Sequence, residues 1–380
     1  MARLGDICTV VSGTTPKSSC PEYWDGDINW VTPAELNDDS DVIYESQRKI
    51  TEQAVQDSSL KPFPAGTVLL SSRAPIGKVA IAGVEMYCNQ GFKNLICSNR
   101  IYNRYLYHFL KNNTEYLNSL GRGATFKEIS KSIVENIEIP LPPLDEQRRI
   151  AAVLDKVSGL IAKRREQMDK LDELVKVRFV EMFGDTIINP YGWNKKFLGT
   201  VCDVRDGTHE SPQYYNVGFP LLTSKNVTSG KIDLTECSLI SETDYNKINE
   251  RSKVDMGDVI MPMIGTVGKP VIVNIEPNFA IKNVSLIKFR PNSEVLNIYI
   301  LALLQSDYFD TTVLSKIRGG TQKFISLGDI RKLEILVPPI ELQNKFAVFV
   351  TQTDKSKLTI QQSLDKLEVL KEALMQQYFG

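Results

Sequence analysis

The chain has 380 residues, 42% hydrophobic and 24% charged, with a formal net charge of -1. That length fits two or three domains with their own cores, and the composition is that of an ordinary soluble protein. No run is apolar enough to span a bilayer and no charged, apolar, small-residue leader opens the chain, so no membrane is expected and the cytoplasm is the expected compartment.

The predicted elements come in two rounds. Leu4-Gly5-Asp6 and Ser12-Gly13-Thr14 open the first. Short strands broken by turns follow: Ile28–Val31 ahead of Thr32-Pro33, then Gly66–Ser71, which leads through Gly77-Lys78 to another apolar strand. An amphipathic helix is expected from Tyr102 to Leu120. After Pro142-Pro143, the proline-free stretch from Leu144 to Met182 sets Ile150, Val153, Leu154, Val157, Leu160, Ile161, Met168, Leu171, Leu174, Val175 and Phe179 at spacings of three and four. That pattern marks one face of a long helix. Asp145 and Glu146 suit its N-terminal dipole, and roughly 38 residues would reach about 57 Å. Gly184 to Tyr191 forms a joint. The second round repeats the plan: Leu198-Gly199-Thr200, Asp206-Gly207-Thr208, strands at Phe219–Leu222 and Gly257–Met261, Gly268-Lys269, a helix from Leu296 to Ile317, and a last long helix from Glu341 to Tyr378.

The two rounds also share text, at an offset of about 196 positions. Arg122-Gly123-Ala124-Thr125-Phe126-Lys127-Glu128-Ile129-Ser130 returns as Arg318-Gly319-Gly320-Thr321-Gln322-Lys323-Phe324-Ile325-Ser326. Glu138–Pro143 returns as Glu334–Pro339, Asp169-Lys170-Leu171 as Asp365-Lys366-Leu367, and Phe183-Gly184 as Phe379-Gly380. The fold class is therefore α+β: two tandem α/β domains, 1–143 and 185–339, each followed by a long helix, 144–184 and 340–380. An apolar stripe on a long helix needs a partner. The simplest solution pairs the two helices as a coiled coil; the alternative folds each back on its own globular unit.

Catalytic motifs are only imitated. Gly265-Thr266-Val267-Gly268-Lys269-Pro270 is too short for a phosphate-binding loop and has Pro where the Ser/Thr should hold magnesium. Gly121-Arg122-Gly123 lacks the third glycine of a dinucleotide fingerprint. Asn189-Pro190-Tyr191-Gly192 is a poor match to the motif of amino methyltransferases and reads as a turn. Asp38-Asp39 with Asp41 has no counterpart in the second round and reads as a solvated loop. With two histidines, His108 and His209, no multi-histidine metal site is available. The six cysteines, Cys8, Cys20, Cys88, Cys97, Cys202 and Cys237, form no C-x-x-C pair and do not recur at the repeat offset, so free thiols are expected. A duplicated chain without a catalytic constellation points to a recognition device, with no catalytic residue and no metal site of its own.

The repeated tract is the sharpest binding signal. Glycine lets backbone approach a surface; Arg122 and Arg318 with Lys127 and Lys323 suit phosphates or guanine edges, and Thr125, Thr321 and Gln322 add polar groups that reach either. The alternative is a solvated turn, and recurrence in register favours DNA contact. Weaker candidates are Thr14, Thr15 and Lys17 with Thr208 and His209 after the repeated Gly13 and Gly207. Ser72, Arg73 and Lys78 lie in the first strand-turn-strand, and Thr266 and Lys269 in the second. Gln90 and Lys93, with Lys282 and Asn283, offer amide and ammonium groups, and Gln and Asn can read adenine.

Ser12-Gly13-Thr14-Thr15-Pro16, Pro21-Glu22-Tyr23-Trp24 and Gly26-Asp27-Ile28-Asn29-Trp30-Val31-Thr32-Pro33 strongly resemble the opening of the specificity subunit of type I restriction-modification systems. So do Ser71-Ser72-Arg73-Ala74-Pro75-Ile76-Gly77 and Asn89-Gln90-Gly91-Phe92-Lys93. Leu141–Ala151 is similar to that family's junction between recognition domain and spacer helix. The resemblance covers essentially the whole chain. It implies two target recognition domains, each reading one half of a split, asymmetric sequence in double-stranded DNA, and an antiparallel coiled coil that fixes the distance between them. It implies docking of two modification (methyltransferase) subunits, which bring S-adenosylmethionine and methylate adenine. Restriction subunits, which use ATP and magnesium to translocate and cleave DNA, join that core. This chain would hold no cofactor. Two domains on a spacer would reach sites about one DNA turn, about 34 Å, apart. The second opening, Asp206–Pro212, and Met261–Ile264 depart from the first copy, as different half-sites require. Two other readings stay open: the specificity subunit of another multi-subunit methylase-nuclease system, and a coiled-coil scaffold with adaptor domains that do not bind DNA.

Overall fold

A computed structural model describes residues 1–37, 39–73, 75–123, 127–227, 230–265, 267–317 and 323–380. The chain divides into two compact units, Met1–Arg165 with Gln362–Gly380, and Glu166–Gln361. The division crosses both long helices, so each unit is a globular domain together with half of each helix. Among the described residues, no helix is long and apolar enough to cross a membrane.

Among the described residues of the first unit, ten strands form three sheets. β1 (Ala2–Arg3), β2 (Cys8–Val11), β3 (Trp24–Val31), β4 (Val42–Ile43), β5 (Lys49–Ile50), β6 (Val68–Leu70), β7 (Val79–Ala82), β8 (Tyr87–Cys88), β9 (Asn94–Cys97) and β10 (Glu138–Ile139) run in that order. The main sheet is β2-β9-β6-β7-β4, with only β4 parallel to its neighbour. A smaller sheet is β5-β3-β8, and β1 pairs β10. Short Val/Ile/Leu runs bounded by Gly and Pro account for these strands; β6 and β7 are buried throughout, as strands covered on both faces must be.

The second unit repeats the plan. β11 (Asn194–Phe197), β12 (Asp203–Asp206), β13 (Phe219–Leu222), β14 (Ser238–Ile240), β15 (Val259–Pro262), β16 (Val271–Ile272), β17 (Ala280–Ile281), β18 (Val284–Lys288) and β19 (Glu334–Val337) follow in order. The sheets are β12-β18-β15-β16, β14-β13-β17 and β11-β19. Each has its counterpart in the first unit, down to the parallel pairing β13–β17 that matches β3–β8. The first unit adds only the β4 edge. The duplication therefore extends through the whole domain, although the text repeats clearly only in its later part.

Both long helices contain 40 residues, Leu144–Phe183 and Ile340–Phe379, at the predicted offset. A buried glutamine sits in the first turn of each. Gln147 accepts from the Tyr102 N–H at 2.8 Å and donates to the carbonyls of Arg100 at 3.0 Å and Pro142 at 2.8 Å. Gln343 accepts from the Leu296 N–H at 2.8 Å and donates to Glu294 at 2.9 Å and Pro338 at 2.8 Å. One side chain thus ties the helix start to the proline turn before it and to the segment entering a domain helix. Nearby, the Tyr105 hydroxyl donates to the Pro140 carbonyl and the Tyr299 hydroxyl to the Leu336 carbonyl, each at 2.9 Å.

The far ends of the helices complete the cores. In the second unit Phe179 and Phe183 pack on Tyr299 and Phe346, with ring centroids 4.9 to 5.7 Å apart. In the first unit Phe379 meets Tyr105 at 5.0 Å and Phe109 at 5.6 Å, beside Ile150 and Met375. The start of one long helix and the end of the other share each core, so the pair runs antiparallel. The seam between them carries Val157, Ile161 and Leu364 in the first unit, where Arg165 also bonds Glu368 at 2.9 Å. In the second, Lys357 pairs with Asp172. The helices pair with each other as the coiled-coil reading expects, and neither folds back on its own domain alone, since the far end of each completes the core of the other domain.

Two expectations need correction. The helix expected over 102–120 is two, Asn103–Asn112 and Thr114–Ser119, because the Asn113 side chain donates back to the Phe109 carbonyl at 2.7 Å. The helix expected over 296–317 stops at Leu304, where the Gln305 and Ser306 N–H groups turn to the Ala302 and Leu303 carbonyls; a π turn at Phe309–Val313 and a 3-10 turn at Leu314–Lys316 follow. Cys8 and Cys202 hold equivalent places after the short helix that enters the main sheet, following Ile7 and Val201, at an offset of 194 rather than 196.

Replacing Gln147 or Gln343 by Leu removes three hydrogen bonds to partly buried backbone groups, and each change should cost about 3 kcal/mol. Exposed Arg148→Ala should stay within about 0.5 kcal/mol. Urea unfolding of the three variants checks this; glutamine variants as stable as R148A would contradict it.

Candidate nucleic-acid interface

Gly13 in the first unit has no room for a side chain, since a Cβ there would lie 1.9 Å from the Cys88 carbonyl oxygen. The chain passes so close that the Thr14 N–H donates to that carbonyl at 3.0 Å, while Trp30 Nε1 donates to the Thr14 carbonyl at 3.1 Å. The Thr15 hydroxyl then bonds the side-chain oxygen of Gln90. From Gly91 the stitching continues: the Ser72 N–H donates to the Gly91 carbonyl at 2.7 Å and the Ile129 N–H to the Ser72 carbonyl at 2.9 Å. Arg122 and Glu128 exchange two backbone bonds, 3.0 and 2.9 Å. Loops distant in sequence thereby form one edge.

Glu128 is the hub of that edge. Its carboxylate takes Arg73 Nε at 2.9 Å and Lys93 Nζ at 3.1 Å. Burial pushes the Glu128 carboxyl up, but the hydrogen bonds and charges of Lys93 and Arg73 outweigh it and hold the group below its ordinary value. Thr14, Lys17, Arg73, Gln90, Arg122 and Lys127 are exposed, and Thr15 is half-buried. Ser72 and Lys93 are buried, at 0% and 7% exposure, which makes them internal braces of the loops rather than surface groups. Lys78 is also turned inward, its ammonium donating to the Leu36 carbonyl. Thr125 lies outside the described residues.

The second unit builds the same edge from different side chains. Gly207 approaches the Ile281 carbonyl, 2.3 Å from a would-be Cβ, and the Thr208 N–H donates to it at 3.0 Å. The Asn283 N–H donates to the Thr208 carbonyl at 3.2 Å, and Ile325 N–H to Met263 at 2.9 Å, as Ile129 does to Ser72. The Gly265 N–H donates to the Lys323 carbonyl at 2.8 Å. His209 lies 2.9 Å from both Asn283 Oδ1 and Asp206 Oδ2. Those two acceptors, Asn283 first, raise the imidazole above its usual value against a smaller effect of burial. Asp206 also pairs with Arg251, and Lys282 donates to the Ser211 hydroxyl at 2.6 Å. Lys269 and Lys323 are exposed. Thr266, Arg318, Thr321 and Gln322 lie outside the described residues.

The structure therefore gathers Thr14, Thr15, Arg73, Gln90 and Arg122 on one edge, and Thr208, His209, Lys282, Asn283 and Lys323 on the other. Sequence reasoning passed over Glu128 and its counterpart Phe324. The bridge between Arg73 and Glu128 has its equivalent between Ile264 and Phe324, which is 40% exposed. One unit is charged at this point and the other apolar. Comparing the two repeats position by position would have found both. The Ile-Ser pair that ends the repeated tract is structural. Ile129 and Ile325 are buried, and Ser130 and Ser326 cap the following short helices by accepting from Ile133 and Asp329 N–H groups.

Two copies of one domain, each presenting a loop edge of its own chemistry, define a two-part recognition protein. A family model described as the type I restriction modification DNA specificity domain matches residues 1–171 and again 190–371. The chain belongs to this family, as a type I restriction-modification specificity subunit with two recognition domains. It is 32% identical over 405 residues to the MjaIX specificity subunit of Methanocaldococcus jannaschii, covering 98% of this chain and 90% of that one. It is 21% identical over 313 residues to the EcoBI specificity subunit of Escherichia coli, covering 73% of this chain and 65% of that one. The S subunit from M. genitalium shares the fold, with a TM-score of 0.60 at 16% identity over 100% of this chain and 95% of that chain.

Because Glu128 is held below its ordinary value in the folded state, its ion pairs stabilise fully above the ordinary carboxylate range. That contribution is lost as pH falls through the folded value. Glu128→Gln should cost about 1 kcal/mol at neutral pH, after discounting for solvent screening. Thermal melts of both proteins across pH should show the gap closing below about pH 4; a gap that widens in acid would contradict the assignment.

Proposed function

We propose that this subunit reads a bipartite target in double-stranded DNA, one half with each loop edge, and carries no catalytic residue of its own. The observation that supports the reading is the recurrence of one stitched backbone frame with different side chains on it. Arg122, Arg73, Gln90, Lys17 and Lys127 would make the contacts of the first edge, and Arg318, Lys323, Lys282, His209 and Phe324 those of the second. Arg and Lys supply phosphate contacts and guanine readout, Gln and Asn amides suit adenine, and an exposed Phe suits a thymine methyl. In this reading modification subunits dock on the long helices and bring S-adenosylmethionine, and restriction subunits bring ATP and magnesium. A solved structure from the complex assembly of the type I R-M system has the same fold, at a TM-score of 0.58 and 21% identity over 99% of this chain and 96% of that chain.

Titrating duplex DNA at several salt concentrations, with and without the methylating partner, tests the proposal. Binding should weaken steeply with salt. Arg122→Ala and Arg318→Ala should each cost about tenfold, and only against one half of the target. Salt-independent binding, loss of complex assembly by either variant, or DNA methylation by the chain alone would overturn it.

A further inference from the structure

Cys8 and Cys97 take no part in the loop edge of the first unit, yet they face each other. β2 and β9 run antiparallel with Cys8 directly opposite Cys97. The Ser98 N–H bonds the Ile7 carbonyl at 3.0 Å, so the neighbouring pair is of the hydrogen-bonded kind. The Cys8–Cys97 pair is then of the closer, non-hydrogen-bonded kind, and the Cys8 N–H indeed turns away to the Leu4 carbonyl. At such a pair the Cα atoms lie about 4.5 Å apart with both side chains on one face, inside the span of about 4.4–6.8 Å that a disulfide bridges. Both cysteines line an open pocket of about 230 Å³, so a small reagent can enter. Cys97 is partly exposed and Cys8 is buried at 8%. Interaction with Cys97, together with burial, raises the Cys8 thiol well above its usual value.

We propose that Cys8 and Cys97 form a dithiol modification site that a hydroperoxide closes to a cross-strand disulfide. The Cys97 sulfur attacks the peroxide oxygen and the O–O bond breaks; the departing oxygen takes the Cys97 thiol proton and leaves as the alcohol, or as water from hydrogen peroxide, so the hydroperoxide is reduced and Cys97 becomes a sulfenic acid. The Cys8 sulfur then attacks the Cys97 sulfur, the S–O bond breaks, and the hydroxide leaves as water with the Cys8 proton. The bond ties together the two strands whose other ends carry the Thr15–Gln90 contact. The second unit has no such site: continuing the register of β12 and β18 by one residue sets Cys202 against Phe289. The placement gives the two DNA-reading domains different sensitivity to oxidation.

The test treats the native full-length chain with hydrogen peroxide, blocks remaining thiols, and maps peptides without reduction. The expected result is a Cys8–Cys97 linked peptide, loss of two of the six thiols, and recovery of both with dithiothreitol. Cys8→Ser and Cys97→Ser should each abolish the linkage, and C97S, altered at the more exposed position, keeps the test valid if C8S folds poorly. Sulfinic acid on Cys97 without a linkage, or both thiols still free after the other cysteines have been oxidised, would overturn the proposal.

Discussion

Everything in this protein hangs on how each long helix is joined to its domain, and a buried glutamine makes that joint. Gln147 and Gln343 each satisfy one N–H and two carbonyls around the proline turn that starts the helix. A buried amide with three partners fixes direction as well as position, because losing any one bond leaves an unpaired polar group. The helix start is fixed to its domain, and its apolar stripe meets the other helix. The aromatic ends, Phe183 and Phe379, then fill the core of the domain they reach.

The same logic separates what repeats from what varies. Frame positions repeat because each solves a backbone problem: glycine where the chain crosses a carbonyl, a buried Ile that anchors the loop, a Ser that caps the next helix, a Gln that pins the long one. Edge positions face outward and carry no such duty. There Glu128 with Arg73 in one unit gives way to Phe324 with Ile264 in the other. A duplicated recognition protein needs this division, since a shared frame allows common assembly and divergent edges allow two different target halves.

Much of this was legible in the chain. The long helices were placed within one or two residues because their apolar spacing is regular and proline brackets their starts. The repeat was legible from Arg122 onward, where the offset is constant. Across the sheets it was blurred by loop length: Gly13 and Gly207 answer each other at a smaller offset than the helices do, and Gly66 and Gly257 at a smaller one still. The candidate site was read only in part. Exposed Arg122 and Gln90 could be named from residue type, but burial of Ser72 and Lys93 depends on a bond to Gly91 and an ion pair with Glu128 that no local pattern announces. The break at Leu304 likewise arises from a turn of two N–H groups rather than from any proline or glycine.

The central claim is that one frame carries two unlike reading edges. Sequencing the methylated sites of cells that express this subunit with its modification and restriction partners tests it most directly. The account predicts a single motif made of two specific parts separated by unspecified bases, with the two parts differing in sequence. A palindromic or uninterrupted motif would contradict it.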